Sequence, residues 1–276
     1  MSAFSGARGL SGEIWAAAGL IRASVQEKLV YRFDLLVTLV RNLILITIFR
    51  FLWLSLYGGQ AEFGGVSLNQ TLTYATLGII LSPLFPNSLI LDVGGRIRSG
   101  NILFDISRPL HFGSLLLYQM MGQFVAALAT SAAPMFLIAL ALGELTLPTS
   151  GWVWLAFGVS LALGFFIAFW LDFIVALAGF WLTETWGLFY AKWSVVDALS
   201  GKYLPLWIFP PFLRGLALAL PFRGILYSAL AIFVGQVPLE KIPAELGFQL
   251  VWALMLTLMG RLGYVAAARH LSVQGG

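Results

Sequence analysis

The sequence predicts an all-α integral membrane protein with six transmembrane helices. Of its 276 residues, 60% are apolar and only 10% are charged, whereas a soluble domain is about 45–50% apolar and about 25% charged. So few charges cannot cover a soluble globule of this size. The apolar residues also form several runs close to the roughly 20 residues that a helix needs to cross a bilayer. The composition therefore excludes a cytosolic enzyme, a nucleic-acid-binding protein and a disordered chain.

The length predicts one membrane domain, 1–276, without a second large soluble domain. The chain has no cysteine, which excludes disulfides, thiolate metal sites and cysteine nucleophiles. Its two histidines, His111 and His270, are too few for a histidine-rich metal site. A net charge of +4 is typical of a membrane protein whose cytoplasmic segments are basic.

The first predicted element is an amphipathic helix over 13–33. Such a helix can lie flat in the membrane interface, which we favour, or pack on the protein from the aqueous side. No cleaved signal peptide is expected, because the first long apolar run begins only after Asp34. Spacings of three and four residues place these apolar side chains on one helix face: Ile14, Ala18, Ile21, Val25 and Leu29.

Six spans follow. Span two contains Pro83 and Pro86, which should kink or end its inner third. Between spans five and six, two apolar pieces at 212–220 and 225–234 are too short to cross about 30 Å of hydrocarbon. We expect an external region, 210–245, in which they form re-entrant half-helices buried against protein. The predicted spans are 34–57, 68–91, 114–142, 152–182, 188–209 and 246–267.

The distribution of charge predicts that both termini are cytoplasmic. The first two loops on the opposite side carry only Glu62 and Glu144. The cytoplasmic side is assigned from Arg8, Arg22, Lys28 and Arg32 before span one, Arg96, Arg98 and Arg108 after span two, and Arg269 in the tail.

No catalytic motif is convincing. The sequence lacks a phosphate-binding loop, a zinc-protease helix and the Gly-x-Gly-Asp signature of intramembrane aspartyl proteases. The run from Gly9 to Gly12 matches the short intramembrane serine-protease signature, but it precedes every span and is interpreted as chance. We therefore expect neither enzymatic activity nor a cofactor in this chain.

Charged residues within spans are candidates for function. Asp197 lies about 13 Å into span five, where it could be protonated, face a polar cavity or pair with Lys192, Lys202 or Arg50. Asp197, Lys192 and Arg50 are our candidate intramembrane polar site. Arg41 and Arg50 lie near opposite ends of span one, and each could snorkel to its nearer interface. Asp172 is expected near the cytoplasmic boundary.

The polar stretch 92–113 is longer than a passive turn between two helices needs. It mixes three arginines and two aspartates with apolar residues. A short amphipathic helix there would offer a docking surface to a cytosolic partner and could move spans two and three as one lever. Binding of lipid headgroups is the alternative.

Several motifs resemble one family, the membrane subunits of bacterial type-2 ATP-binding-cassette (ABC) exporters. Their order and spacing together carry the resemblance, which covers nearly the whole chain from Glu13 onward. The motifs are Gly95-x-Ile97-x-Ser99-Gly100, Ser107-Arg108-Pro109-Leu110, Leu199-Ser200-Gly201, Leu204-Pro205-Leu206, Phe209-Pro210, Leu220-Pro221-Phe222 and Gly275-Gly276.

The resemblance implies an interfacial elbow helix at 13–33, a cytosolic coupling loop at 92–113 and re-entrant external helices. It also implies a homo- or heterodimer with a second permease subunit, sitting on two cytosolic ABC ATPases that bind ATP-Mg. The coupling loop would transmit closure of the ATPases to the spans. By this resemblance the ATPase contacts are Arg96, Arg98, Asp105 and Arg108.

We therefore expect a non-catalytic subunit of an ABC exporter in the bacterial plasma (inner) membrane. It would contact lipids but no nucleic acid, and it would move an amphiphilic substrate. The alternatives are a secondary transporter or channel driven by an ion gradient, and an assembly factor that transports nothing. Transport driven by an ion gradient usually needs a chain of intramembrane acids and histidines. The sequence offers one deep acid, Asp197, which is weak support for that alternative.

Overall fold

The computed structural model describes residues 10–30, 32–85, 88–107, 111–182 and 184–269. These residues form α-helices joined by short 3-10 turns, with one two-stranded antiparallel hairpin, β1 (Glu62–Phe63) and β2 (Val66–Ser67). The helices are α1 (Leu10–Val30), α2 (Arg32–Tyr57), α3 (Leu68–Leu81), α4 (Leu89–Arg98), α5 (Ile102–Ser107), α6 (Phe112–Ala127), α7 (Ala133–Ala141), α8 (Gly151–Leu177), α9 (Trp186–Leu199), α10 (Pro211–Ala219), α11 (Tyr227–Phe233) and α12 (Ile242–Ala268).

Five helical segments of the described residues are long and apolar enough to cross a membrane. They correspond to predicted spans one, two, three, four and six, which confirms the helical membrane fold. The third combines α6 and α7 through a single π-helical turn, Leu128–Ala132. The five segments are Leu35–Tyr57, Leu68–Arg98, Phe112–Ala141, Gly151–Phe180 and Leu239–Ala268.

Predicted span five is not one continuous helix. α9 has 14 residues, which reach only about 21 Å at 1.5 Å per residue. It ends because Gly201 adopts a left-handed conformation with φ of +69°, the usual termination of a helix. Pro205 then precedes a short 3-10 turn, Leu206–Ile208. The segment 188–209 is therefore a helix followed by irregular chain.

Span two is interrupted where prolines were predicted to break it. α3 begins with a capping box, in which the Gln70 backbone N–H donates to Ser67 Oγ at 3.3 Å and the Ser67 N–H donates to Gln70 Oε1 at 3.1 Å. It ends at a 3-10 turn, Ser82–Leu84, that contains Pro83. Pro86 lies outside the described residues. The predicted span 68–91 therefore consists of α3 and the first residues of α4, and the rest of α4 lies in the predicted coupling segment 92–113.

α1 packs along α6. A Cβ atom at Gly122 of α6 would lie 2.6 Å from Ser24 Cβ and 2.8 Å from the Ile21 carbonyl oxygen. The absence of a side chain at Gly122 therefore allows the two backbones to approach closely. The helix predicted over 13–33 is found at Leu10–Val30, and its place in the membrane interface stays a prediction.

α8 and α12 pack closely in the same way. A Cβ at Gly260 of α12 would lie 2.5 Å from Trp170 Cε3 of α8. A Cβ at Gly164 of α8 would clash with the Ile225 carbonyl oxygen. Small residues at these points bring α8 against both α12 and the chain that precedes α11.

The proline-broken region contains two short helices close to the two predicted apolar pieces. α11 is buried along its whole length and contacts α3 and α8. α10 is more exposed, with Phe212 85% accessible. Between them, Pro221–Gly224 forms a 3-10 turn. Both helices are too short to cross a bilayer, as expected of the predicted pieces.

Candidate functional site

The segment that contains the predicted coupling residues folds as two short helices. α4 and α5 are joined by a tight turn at Gly100, whose φ of +73° favours glycine. The Gly100 N–H donates to the Ile97 carbonyl, and the Leu103 N–H donates to the Gly100 carbonyl. α4 and α5 therefore form a compact helical corner.

Arg96 fixes this corner to the third span. Its Nη1 donates to Asp105 Oδ2 at 2.8 Å, and its Nη2 donates to Gln119 Oε1 of α6 at 3.2 Å. Asp105 is buried, with 9% of its side chain exposed. Two of the predicted ATPase contacts thus pair with each other. Arg98 is exposed at the end of α4, and Arg108 lies outside the described residues.

α5 presents apolar side chains to its surroundings. Leu103 is 64% exposed and Phe104 is 71% exposed, whereas the neighbouring Ile102 is buried. An exposed apolar pair on a short helix is typical of a surface that a partner or a lipid interface covers. We call Leu103 and Phe104 the α5 edge.

Two further contacts join α4 to the bundle. Gly94 lies so close to Thr185, the residue before α9, that a Cβ at Gly94 would lie 2.8 Å from Thr185 Oγ1. The Leu89 N–H, at the start of α4, donates to Asp172 Oδ2 of α8 at 3.1 Å. Asp172 Oδ1 also accepts a hydrogen bond from Lys192 Nζ of α9. α4 therefore contacts α8 and the residue that precedes α9, and Asp172 connects it to Lys192 of α9.

The structure shows the surroundings of Asp172. Its place near the cytoplasmic boundary stays a prediction, while its side chain is only 1% exposed and forms an ion pair with Lys192, whose side chain is 10% exposed. The reason is that α4 and α9 cover this part of α8. Counting residues along one helix could locate the depth of Asp172 but not its neighbours.

The three residues of the predicted intramembrane polar site do not meet. Asp197 pairs with Lys202 at 3.3 Å, and Lys192 pairs with Asp172. Arg50 forms an ion pair with Glu144, which follows α7. Asp197 and Lys192 nevertheless line one cleft, and Arg50 lies elsewhere.

That cleft is continuous with a second, larger polar cleft. The first has about 540 Å³ of open volume and the second about 1130 Å³, and both are lined by Ser82, Phe85, Trp193 and Lys202. The second also reaches α2 and α6. Arg41, for which the sequence favoured snorkelling to the interface, lines it. Residues that sequence reasoning passed over also line it: Asn42, Ser88 and Gln123. Their only signal in the sequence is a polar side chain inside or beside an apolar run.

The described residues hold no cluster of three or more His, Asp or Glu side chains that could bind a metal ion. The chemistry that these clefts offer is hydrogen bonding and charge. They contain amide, hydroxyl and cationic groups next to aromatic rings, which suits binding of a polar group.

One comparison with known proteins is informative. The model of a family described as ABC-2 family transporter protein matches residues 43–275, which leaves out α1 and the first part of α2. No curated protein shows a significant match to the chain.

Proposed function

Since the chain belongs to the ABC-2 family of transporter proteins, we propose that it is the membrane subunit of an ATP-driven exporter that moves an amphiphilic substrate across the plasma membrane. A separate cytosolic ABC ATPase supplies the energy, and the chain itself hydrolyses nothing. Family membership makes the chain a multi-pass transmembrane component of an ABC transporter. The direction of transport, the partner and the substrate are our proposals.

The α5 edge is the observation that carries this proposal. Leu103 and Phe104 are exposed, while Arg96 and Asp105 hold α5 against α4 and α6. We propose that the ATPase contacts the α5 edge together with Arg98, and that Arg96 and Asp105 set its position. Closure of the ATPases on ATP-Mg would then push α4.

The contacts of α4 supply a route for that movement. Gly94 packs against Thr185, and Asp172 connects the start of α4 to Lys192 of α9. Packed interiors transmit displacement because they have little free volume. We propose that movement of the α4–α5 corner shifts α9, which lines the polar clefts through Trp193.

We further propose six crossings, with α9 and the chain after it forming the fifth. The region 210–245 is then external and re-entrant, and both termini are cytoplasmic. Non-helical backbone is tolerated at membrane depth only where protein satisfies it. Buried Gln249 supports this, because its Nε2 donates to the carbonyls of Gly224 at 2.7 Å and Ser160 at 3.0 Å.

A second permease subunit, identical or related, completes the proposed transporter. α2 is largely exposed along its length, with large apolar side chains on its surface. α9 exposes the aromatic residues Trp186, Tyr190 and Trp193. Lipid covers part of this surface, and we propose that the partner permease covers the rest.

The test is co-purification. The tagged chain is isolated from its native cells in mild detergent, and the ATPase activity that accompanies it is measured. Leu103→Asp places a charge on the α5 edge, and we expect it to lower the co-purified ATPase by roughly tenfold or more, as expected for loss of a central apolar contact.

Leu142→Asp is the matched control. Leu142 is 65% exposed, almost the same as the 64% of Leu103, but it follows α7 at the proposed external end. It should co-purify as much ATPase as the unchanged chain. No ATPase with the unchanged chain under several gentle conditions would favour the transporter driven by an ion gradient.

A further inference from the structure

We propose that the larger polar cleft binds the anionic headgroup of an amphiphile, a phosphate or carboxylate, and that the apolar tail lies along a groove on α2. The binding site depends only on this chain, while its role as the substrate site rests on the proposed export function. Arg41 is central, because it lines both the cleft and the groove.

The charge of the cleft selects an anion. Its described lining residues include the cations Arg41 and Lys202 and no acid. Lys202 is partly neutralised by Asp197 at 3.3 Å and lies 4.6 Å from the ring centre of Tyr203. Within the described ranges, Arg41 makes no ion pair, and its one side-chain hydrogen bond goes to Asn42 Oδ1 at 3.4 Å.

Asn42 offers a second donor that lacks an acceptor. The residue is 1% exposed and its Nδ2 is buried without a hydrogen-bond partner among the described residues. An amide N–H left unpaired in a buried position is unfavourable. A headgroup oxygen in the cleft would accept from Asn42 Nδ2 while it also contacts the guanidinium of Arg41.

The depth of Arg41 agrees with a bound anion. Arg41 follows Leu35, the first residue of the apolar span, by six positions, which is about 9 Å along the helix. A charged residue within an apolar span normally faces a cavity or a partner charge rather than hydrocarbon. The cleft supplies that cavity, and an anionic headgroup would supply the charge.

The apolar groove begins where the polar cleft ends. It is a shallow groove of about 800 Å³ open volume on the surface of α2, and Arg41 and Leu45 belong to both. A polar site continuous with an apolar groove matches a molecule that has a charged head and an apolar tail. The rest of the groove is Phe33, Leu36, Val37, Val40 and Ile44.

Binding of radiolabelled decyl phosphate tests the proposal. The full chain is placed in phosphatidylcholine nanodiscs, and binding is followed by scintillation proximity, with empty nanodiscs subtracted. Unlabelled decyl phosphate should displace the label. Decyl trimethylammonium and inorganic phosphate at the same concentration should not, because one lacks the anionic head and the other lacks the tail.

Variants locate the site. We expect Arg41→Gln to weaken decyl phosphate binding by roughly 10- to 100-fold, the effect of losing a charged hydrogen bond. Arg41→Lys keeps the charge and should bind within about threefold of the unchanged chain, since a lysine also binds phosphate. Asn42→Leu should weaken binding without changing the charge. Arg261→Gln removes an exposed arginine from α12 and is the matched control, which should bind as the unchanged chain does.

Four results would overturn the proposal. Equal displacement by decyl trimethylammonium would show an unselective apolar groove, and equal displacement by inorganic phosphate would show an ion site without a tail. Unchanged binding by Arg41→Gln would move the site elsewhere. Absent binding, with Ile44→Cys cross-linking two copies, would assign the groove to a second permease.

The failure of this site and the failure of the export function give different results. Loss of co-purifying ATPase with decyl phosphate binding intact contradicts the proposed function and leaves the site. Loss of binding with the ATPase still present contradicts the site alone.

Discussion

At the scale of single residues, the ion pairs of this protein differ in what their loss should cost. Asp172 and Lys192 have side chains that are 1% and 10% exposed, so both charged groups are largely removed from solvent. Arg50, which pairs with Glu144, is 43% exposed. A buried charge without its partner is far less stable than a pair in contact with water.

We expect Asp172→Asn to lower the free energy of unfolding by about 3 kcal/mol, because it removes the buried carboxylate that forms an ion pair with the Lys192 ammonium. Adding Lys192→Met should restore most of the loss, since an apolar side chain of similar size replaces the buried charge. Reversible unfolding in detergent, followed by circular dichroism, measures both variants.

Glu144→Gln provides the comparison at the more exposed pair, because it removes the acid and leaves Arg50, whose side chain is 43% exposed. Its cost should be below about 1 kcal/mol, as when the remaining charge stays accessible to solvent. If Glu144→Gln and Asp172→Asn cost the same, burial does not determine the contribution of these pairs.

At the scale of helices, substitution of two glycines of α8 distinguishes the effect of packing from the effect of helix propensity. Gly164 faces the Ile225 carbonyl oxygen, which a Cβ atom would clash with, whereas Gly158 has nothing within 4 Å of its Cβ position. The same substitution at the two positions should therefore have opposite effects.

Gly164→Ala should destabilise the protein by about 1–3 kcal/mol, because the added methyl group forces α8 away from the chain that precedes α11. Gly158→Ala should be neutral or stabilising by up to about 1 kcal/mol, since alanine favours a helix more than glycine does. Unfolding free energies of the two variants make the comparison. Equal destabilisation by both would contradict the close contact at Gly164.

The helices themselves were largely predictable, and the contacts between them were not. Apolar runs located the five long helical segments, and Pro83 predicted the break after α3. The end of α9 depends on the left-handed conformation of Gly201. The sequence has 29 glycines, and nothing in it identifies Gly201 as the one that ends a helix. Asp172 and Lys192 are 20 residues apart, and Arg50 and Glu144 are 94 apart. The periodicity of apolar residues describes one helix at a time and does not predict which charged side chains of different segments form ion pairs.

At the scale of the whole molecule, the proposed topology places the loop after α7 and the region 210–245 outside, and α4 and α5 inside. The chain has no cysteine, so a single introduced cysteine is the only thiol that a maleimide can label. Its labelling shows on which side of the membrane that residue lies. Thr149, Glu240 and Ser99 are exposed positions in these three places.

In sealed right-side-out vesicles, we expect a membrane-impermeant maleimide to label Thr149→Cys and Glu240→Cys. Ser99→Cys should be labelled only after the vesicles are permeabilised, because it lies on the proposed cytoplasmic side. Gel shift of the labelled chain is the measurement. Labelling of Ser99→Cys in sealed vesicles would reverse the topology, and protection of Glu240→Cys alone would contradict the external region.

The uneven burial of the first two spans has a consequence for biogenesis. α2 is mostly exposed, so lipid can cover its apolar surface as soon as the segment leaves the ribosome. α3 is largely buried, and two of its polar side chains have partners in later segments: Gln70 donates to the Val234 carbonyl, and Thr73 accepts from the Thr146 N–H. The second span therefore enters the bilayer before these two hydrogen bonds can form, and its folding is completed only after the second half of the chain has been synthesised.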